Sequence, residues 1–73
     1  MTKDVIAEQI NSAPFLPFSV RTTDGRAYFV PSPDYIHLSP SGRVVTVWTH
    51  EGDGIKILDV ALITELETSE KPS

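Results

Sequence analysis

Cysteine is absent from the 73 residues of this chain. Disulfide staples and thiolate metal sites are thereby excluded, two of the usual supports of a domain this small. No apolar run approaches the roughly 18 residues that a membrane-spanning helix needs. The N-terminus has no basic stretch followed by an apolar one, so no secretory signal is expected and a cytoplasmic setting is the default. Cations are few, with six Lys and Arg against ten Asp and Glu for a net charge of −4. An acidic whole argues against non-specific nucleic-acid binding, which needs many phosphate-neutralising cations.

What is present is a 40% apolar content, adequate for one folded domain, expected over 1–67. A chain of this length buries only roughly 60% of the surface its unfolded form exposes, so its core is marginal and self-association is an expected remedy. The charge is unevenly placed. Lys3, Arg21, Arg26 and Arg43 balance Asp4, Glu8, Asp24 and Asp34, whereas Lys56 and Lys71 face Glu51, Asp53, Asp59, Glu65, Glu67 and Glu70. The whole excess lies in the C-terminal third. There it reads as a solvated edge that resists strand-to-strand aggregation.

A short helix is predicted over 2–12. Thr2 stands at the N-cap, Asp4 in the first turn suits the helix dipole, and Ile6 and Ile10 share a face. Pro14 ends it by biasing Ala13 away from helical geometry. Pro14-Phe15-Leu16-Pro17-Phe18 is too stiff and too apolar for a linker, and should pin the helix to a sheet through Phe15 and Phe18.

From 18 to 67 the pattern is a β-meander. Alternating runs are predicted over 18–23 and 26–30, joined at Asp24-Gly25. With a two-residue turn, Val20 would face Phe29, Thr22 would face Ala27 and Arg21 would face Tyr28. Val20, Thr22, Ala27 and Phe29 would then line the core. Pro31-Ser32-Pro33-Asp34 breaks the strand, which resumes at 35–39. Pro40-Ser41-Gly42 suits a type I turn with a bulge. The strongest strand covers 43–49, where Val44, Val45, Thr46, Val47 and Trp48 are β-branched or aromatic throughout. Both of its faces are apolar, so it is either covered by the helix or is an interface strand. Glu51-Gly52-Asp53-Gly54 turns into 55–58, and after an interruption at 59–61 the run 62–67 places Leu62, Thr64 and Leu66 on one face. Residues 68–73 are predicted to be a disordered tail.

The expected fold is mainly β with an N-terminal helix: a five-stranded, strongly bent antiparallel sheet or a small barrel. The order of elements, with a single-turn break before the last strand, resembles the Sm-like and SH3-like barrels. At the level of residues the chain also resembles a set of short uncharacterised bacterial proteins. The shared pattern is Pro14-Phe15-Leu16-Pro17-Phe18, Asp24-Gly25-Arg26, Pro40-Ser41-Gly42-Arg43, Leu58-Asp59, Leu62-Ile63-Thr64 and Glu67. These are turn and core positions, and the resemblance implies no activity.

Three classes of function compete. Catalysis would need convergent groups, but the two histidines, His37 and His50, show no metal-ligand spacing. There is no phosphate loop or nucleophile elbow, so no enzyme activity and no cofactor or metal are expected. A nucleic-acid surface could be built from Arg21, Arg26, Tyr28 and Arg43, with arginine on phosphate and tyrosine on a base. Against it, Arg21 could pack on Tyr28 as a cross-strand pair, and Arg26 and Arg43 could pair with Asp24 or Asp34. A protein-interaction surface has Tyr35 and Trp48 as its large amphipathic anchors. The preferred reading is a small non-enzymatic interaction or regulatory module that self-associates. Its surface is drawn from Arg21, Arg26, Tyr28, Tyr35, Arg43 and Trp48, with an Sm-like RNA-binding module as the alternative.

Overall fold

The computed structural model describes residues 1–68. Helix α1 spans Lys3–Ile10, followed by strands β1 (Phe18–Thr22), β2 (Ala27–Val30), β3 (Ile36–Leu38), β4 (Val44–Thr49), β5 (Gly54–Asp59) and β6 (Ile63–Thr68). Single 3₁₀ turns at Pro33–Tyr35, His50–Gly52 and Val60–Leu62 separate β2 from β3, β4 from β5 and β5 from β6. The strands form two three-stranded antiparallel sheets, ordered β2-β1-β6 and β3-β4-β5.

This corrects the expectation of a five-stranded sheet or closed barrel. Pro31 and Pro33 have no N–H to donate to a ladder, so the chain leaves the first sheet at Val30. It enters the second at Ile36, after the 3₁₀ turn. Thr68, predicted to lie in the tail, is the last residue of β6. The rest of the predicted tail, with Glu70, lies outside the described residues. No helix among the described residues is long and apolar enough to cross a membrane.

The core lies between the sheets. It comprises Ile6 of α1, Phe18 and Val20 of β1, Val30 of β2, Ile36 of β3, Val45 and Val47 of β4, Val60, and Ile63 of β6. α1 packs along β3, with Ile6 fully buried and Ile10 partly so. Thr2 occupies the N-cap position but makes no side-chain capping bond. The Pro-Phe segment anchors as predicted: Phe18 is fully buried and its ring lies 5.8 Å from that of Phe15, tilted by 52°.

The first hairpin differs from prediction by one residue. Its loop is Thr23-Asp24-Gly25, closed by Gly25 N–H donating to the Thr22 carbonyl (3.0 Å) and Thr22 N–H donating to that of Arg26 (3.0 Å). Gly25 takes the left-handed conformation, φ +84°, that such a three-residue loop requires. The extra loop residue shifts the register so that Val20 opposes Tyr28 and Arg21 opposes Ala27. With side chains alternating at period two, that shift turns β2 over. Tyr28 and Val30 point toward the core, while Ala27 and Phe29 face outward, Phe29 being 52% exposed.

A second shift sits in β6. Arg21 opposes Glu65 while Thr22 opposes Ile63, so Thr64 is an extra residue and the strand bulges there. The bulge brings Ile63 and Leu66 to the core side and leaves Leu62 half exposed, against the predicted grouping of Leu62, Thr64 and Leu66. The second turn matches its prediction: Gly42 N–H donates to the Ser39 carbonyl (2.9 Å) and Gly42 has φ +76°.

Candidate interaction site

The six residues singled out in the sequence separate into two groups. Arg21 leaves the outer face of β1, where its guanidinium meets the Glu67 carboxylate of β6 at 2.9 Å. It does not pack on Tyr28, because the shifted register puts Ala27 opposite it. Arg26 pairs with Asp24 at 3.3 Å across the first hairpin tip. Both pairs are well exposed, so solvent screening leaves each of them a weak contributor to stability. Arg43 lies beside Lys3, Met1 and Asp59 near the start of α1. The arginines therefore do not form one basic patch, and two of the three face carboxylates of this chain.

Asp24 organises the hairpin tip. It accepts from the Thr22 hydroxyl and from the backbone N–H of Arg26, the latter at 3.3 Å. These bonds favour the charged carboxylate and hold its pKa below the ordinary value, the Thr22 hydroxyl contributing most.

The aromatic members do come together. Tyr28, Tyr35 and Trp48 line one cleft of about 450 Å³ between the edge of β2 and the end of β4, with Phe29, Pro31, His50 and Glu51. Four of the six aromatic residues of the chain thus converge here. Each is delivered by a local feature. Tyr28 and Phe29 are consecutive on β2, Tyr35 ends the 3₁₀ turn that the two prolines start, and Trp48 precedes the last residue of β4. A second hollow, of about 300 Å³, adjoins the first and is lined by Asp34, Tyr35, Trp48 and Gly52. Tyr35 and Trp48 form the wall between the two.

Phe29, Asp34 and Glu51 were not identified from the sequence as site residues. Phe29 was assigned to the core by the two-residue turn. The two acids belong to segments that only the packing of the two sheets brings to the same aromatics.

A second exposed feature is the outer face of the β3-β4-β5 sheet. Trp48 opposes Ile55 and Thr46 opposes Ile57 across β4 and β5. Val44, Trp48, Ile55 and Ile57 are all exposed on that face, Ile57 to 71%. The helix does not cover this face, where Val44 and Trp48 remain exposed; Ile6 of α1 joins the core on the other side with Val45 and Val47.

His37 lies mid-β3 opposite Thr46, and His50 stands on the cleft rim. Among the described residues no three His, Asp or Glu side chains gather in a metal-binding arrangement. Compared with known proteins, the chain matches no family model, no curated protein and no solved structure.

Proposed function

We propose that this protein is a small non-enzymatic interaction module that self-associates through the outer face of the β3-β4-β5 sheet. The observation that carries the reading is the row of exposed apolar side chains, Val44, Trp48, Ile55 and Ile57, on one regular sheet face. Contiguous exposed apolar patches mark interaction sites. A second copy is the natural occupant for three reasons. The chain is short and has no disulfides, so further burial adds to a marginal core. Next to the patch, β5 is the edge of its sheet and leaves backbone groups open to another strand. The acidic residues Glu65 and Glu67 lie on β6 in the other sheet, so two acidic chains meet through a face low in charge.

The size of the face sets the strength. β4 and β5, each about 20 Å long, and β3, about 10 Å long, lie about 4.8 Å apart and present a footprint of roughly 240 Å². A stable interface buries about 800 Å² per partner, so association is weak and concentration-dependent. The likeness of element order to the Sm-like and SH3-like barrels supports reading the two sheets as an open relative of those folds.

The test is sedimentation from about 10 µM to about 1 mM, a range that brackets weak association. The wild type is expected to gain mass with concentration and Ile57→Asp to stay monomeric. Ile57 is mostly exposed, so an unchanged circular dichroism spectrum is expected for the variant. A wild type that is monomeric at the top of the range overturns the reading.

A further inference from the structure

The aromatic cleft has a chemistry of its own, although it shares Trp48 with the outer sheet face. Its walls are π faces, and its charged rim is acidic. Glu51 lines the first hollow and Asp34 the second, and neither hollow has a Lys or Arg in its lining. Among the described residues the aromatic ring pair in contact is Phe15–Phe18, which lies elsewhere. Tyr28 and Tyr35 pack in part against the core, while Trp48 and Phe29 are exposed at the cleft.

We propose that this cleft binds an extended, arginine-bearing segment of a partner protein, with a guanidinium held against Tyr35 and Trp48 between Asp34 and Glu51. A cation over an aromatic face is attracted by the ring quadrupole, and more strongly when partly desolvated in a cleft. Carboxylates on either side add charge complementarity and repel a phosphate, so a nucleic-acid backbone is disfavoured at the same place. Arginine fits better than lysine because its planar group stacks on flat rings and donates in the plane to carboxylates. Two hollows sharing one wall suit successive same-side side chains of an extended chain, which point alternately to either side of the backbone.

The rim is built rather rigidly for this. His50 and Glu51 both adopt left-handed backbone conformations, φ +52° and +57°, and Gly52 follows at φ +95°. For residues other than glycine such a conformation is strained, and it persists only where the surroundings impose it. Gly54 lets the Thr49 hydroxyl and the His50 ring approach where a Cβ would otherwise stand, and Glu51 is carried on the same turn.

Trp48 is the single tryptophan of the chain, so its fluorescence, read in the monomeric Ile57→Asp background as well as in the wild type, reports on the cleft. The probe is a Pro- and Ala-based extended peptide with two arginines, compared with the same peptide carrying citrulline or glutamate at those positions. A single-stranded oligouridine is the fourth arm. The arginine peptide is expected to change Trp48 emission saturably. Citrulline, glutamate and oligouridine should bind at least about tenfold more weakly, the loss of roughly 1.4 kcal/mol. Asp34→Asn combined with Glu51→Gln is expected to weaken the arginine peptide at least about fivefold, and Tyr35→Ala likewise. Ile57 lies outside the cleft lining, so Ile57→Asp, which keeps the chain monomeric, should retain saturable binding of the arginine peptide, and failure of either proposal is distinguishable from failure of the other. Equal binding of arginine and citrulline peptides overturns the proposal, as does tighter binding of oligouridine or no saturable change with the arginine peptide. The Asn and Gln variants replace exposed side chains conservatively, so they keep the test decisive if Tyr35→Ala does not fold.

Discussion

Tyr35 and Trp48 form one wall shared by two adjoining hollows, although one ends a 3₁₀ turn and the other lies near the end of a strand. What joins them is the β3-β4 pairing, in which Ile36, next to Tyr35, opposes Val47, next to Trp48. The neighbours Ile36 and Val47 point into the core, which sets Tyr35 and Trp48 side by side at its margin, Tyr35 half-buried against the core and Trp48 exposed. Core packing and site geometry are two faces of the same ladder.

The two faces of β4 are tested by neighbouring substitutions. Val45 is fully buried and Val44 is exposed. Val45→Thr places a hydroxyl in the apolar core and is expected to cost about 1–3 kcal/mol. Val44→Thr should stay within about 0.5 kcal/mol of the wild type. Urea denaturation of the two variants measures the difference, and equal effects would contradict the assignment of faces.

Gly25 and Gly42 make a second contrast. Both have positive φ, but a Cβ at Gly25 would meet open space, whereas one at Gly42 would run into the aliphatic stem of Lys3. Gly25→Ala is expected to cost about 1–2 kcal/mol for the left-handed backbone alone. Gly42→Ala should cost more, and the additional loss should shrink when Lys3→Ala is introduced with it. Thermal unfolding of the three variants reads this out.

The hairpin tip gives a pH dependence. The Asp24 carboxyl is held below its usual pKa, chiefly by the Thr22 hydroxyl. A depressed carboxylate contributes stability above its unfolded pKa of about 3.9, and that contribution is lost as pH falls through the lower folded value. Thr22→Val should raise the Asp24 pKa toward the usual value, seen by NMR titration of its carboxyl carbon. It should also flatten the acid side of the stability profile below about pH 4. An unchanged Asp24 titration in Thr22→Val would show that the hydroxyl is not the cause.

The existence and type of nearly every element followed from local chemistry. β-Branched runs made strands, Gly25 and Gly42 made turns with positive φ, and Pro14 and Pro31 marked where elements stop. Such features act over a few residues, so they are written in the chain itself. Tyr28, Tyr35 and Trp48 could be picked out by type as interaction residues, but their meeting could not be read. Nor could the separation of the arginines.

Register and facing were decided by the tertiary structure. A single extra residue in the Thr23-Asp24-Gly25 loop and another at Thr64 reversed or shifted which side chains point inward. At a period of two, an error of one residue inverts a whole strand, and local sequence does not count loop residues that precisely fixed pairing partners do not yet constrain. The choice was made by what the rest of the chain offered for burial: Val20, Val60 and Ile63 enter one core cluster, and Leu66, opposite Val20, packs against it. From the sequence came strands, turns and a set of aromatics. From the packing of the two sheets came the core face, the bare apolar face and the acidic-rimmed cleft, because each depends on residues far apart in the chain being held at one place.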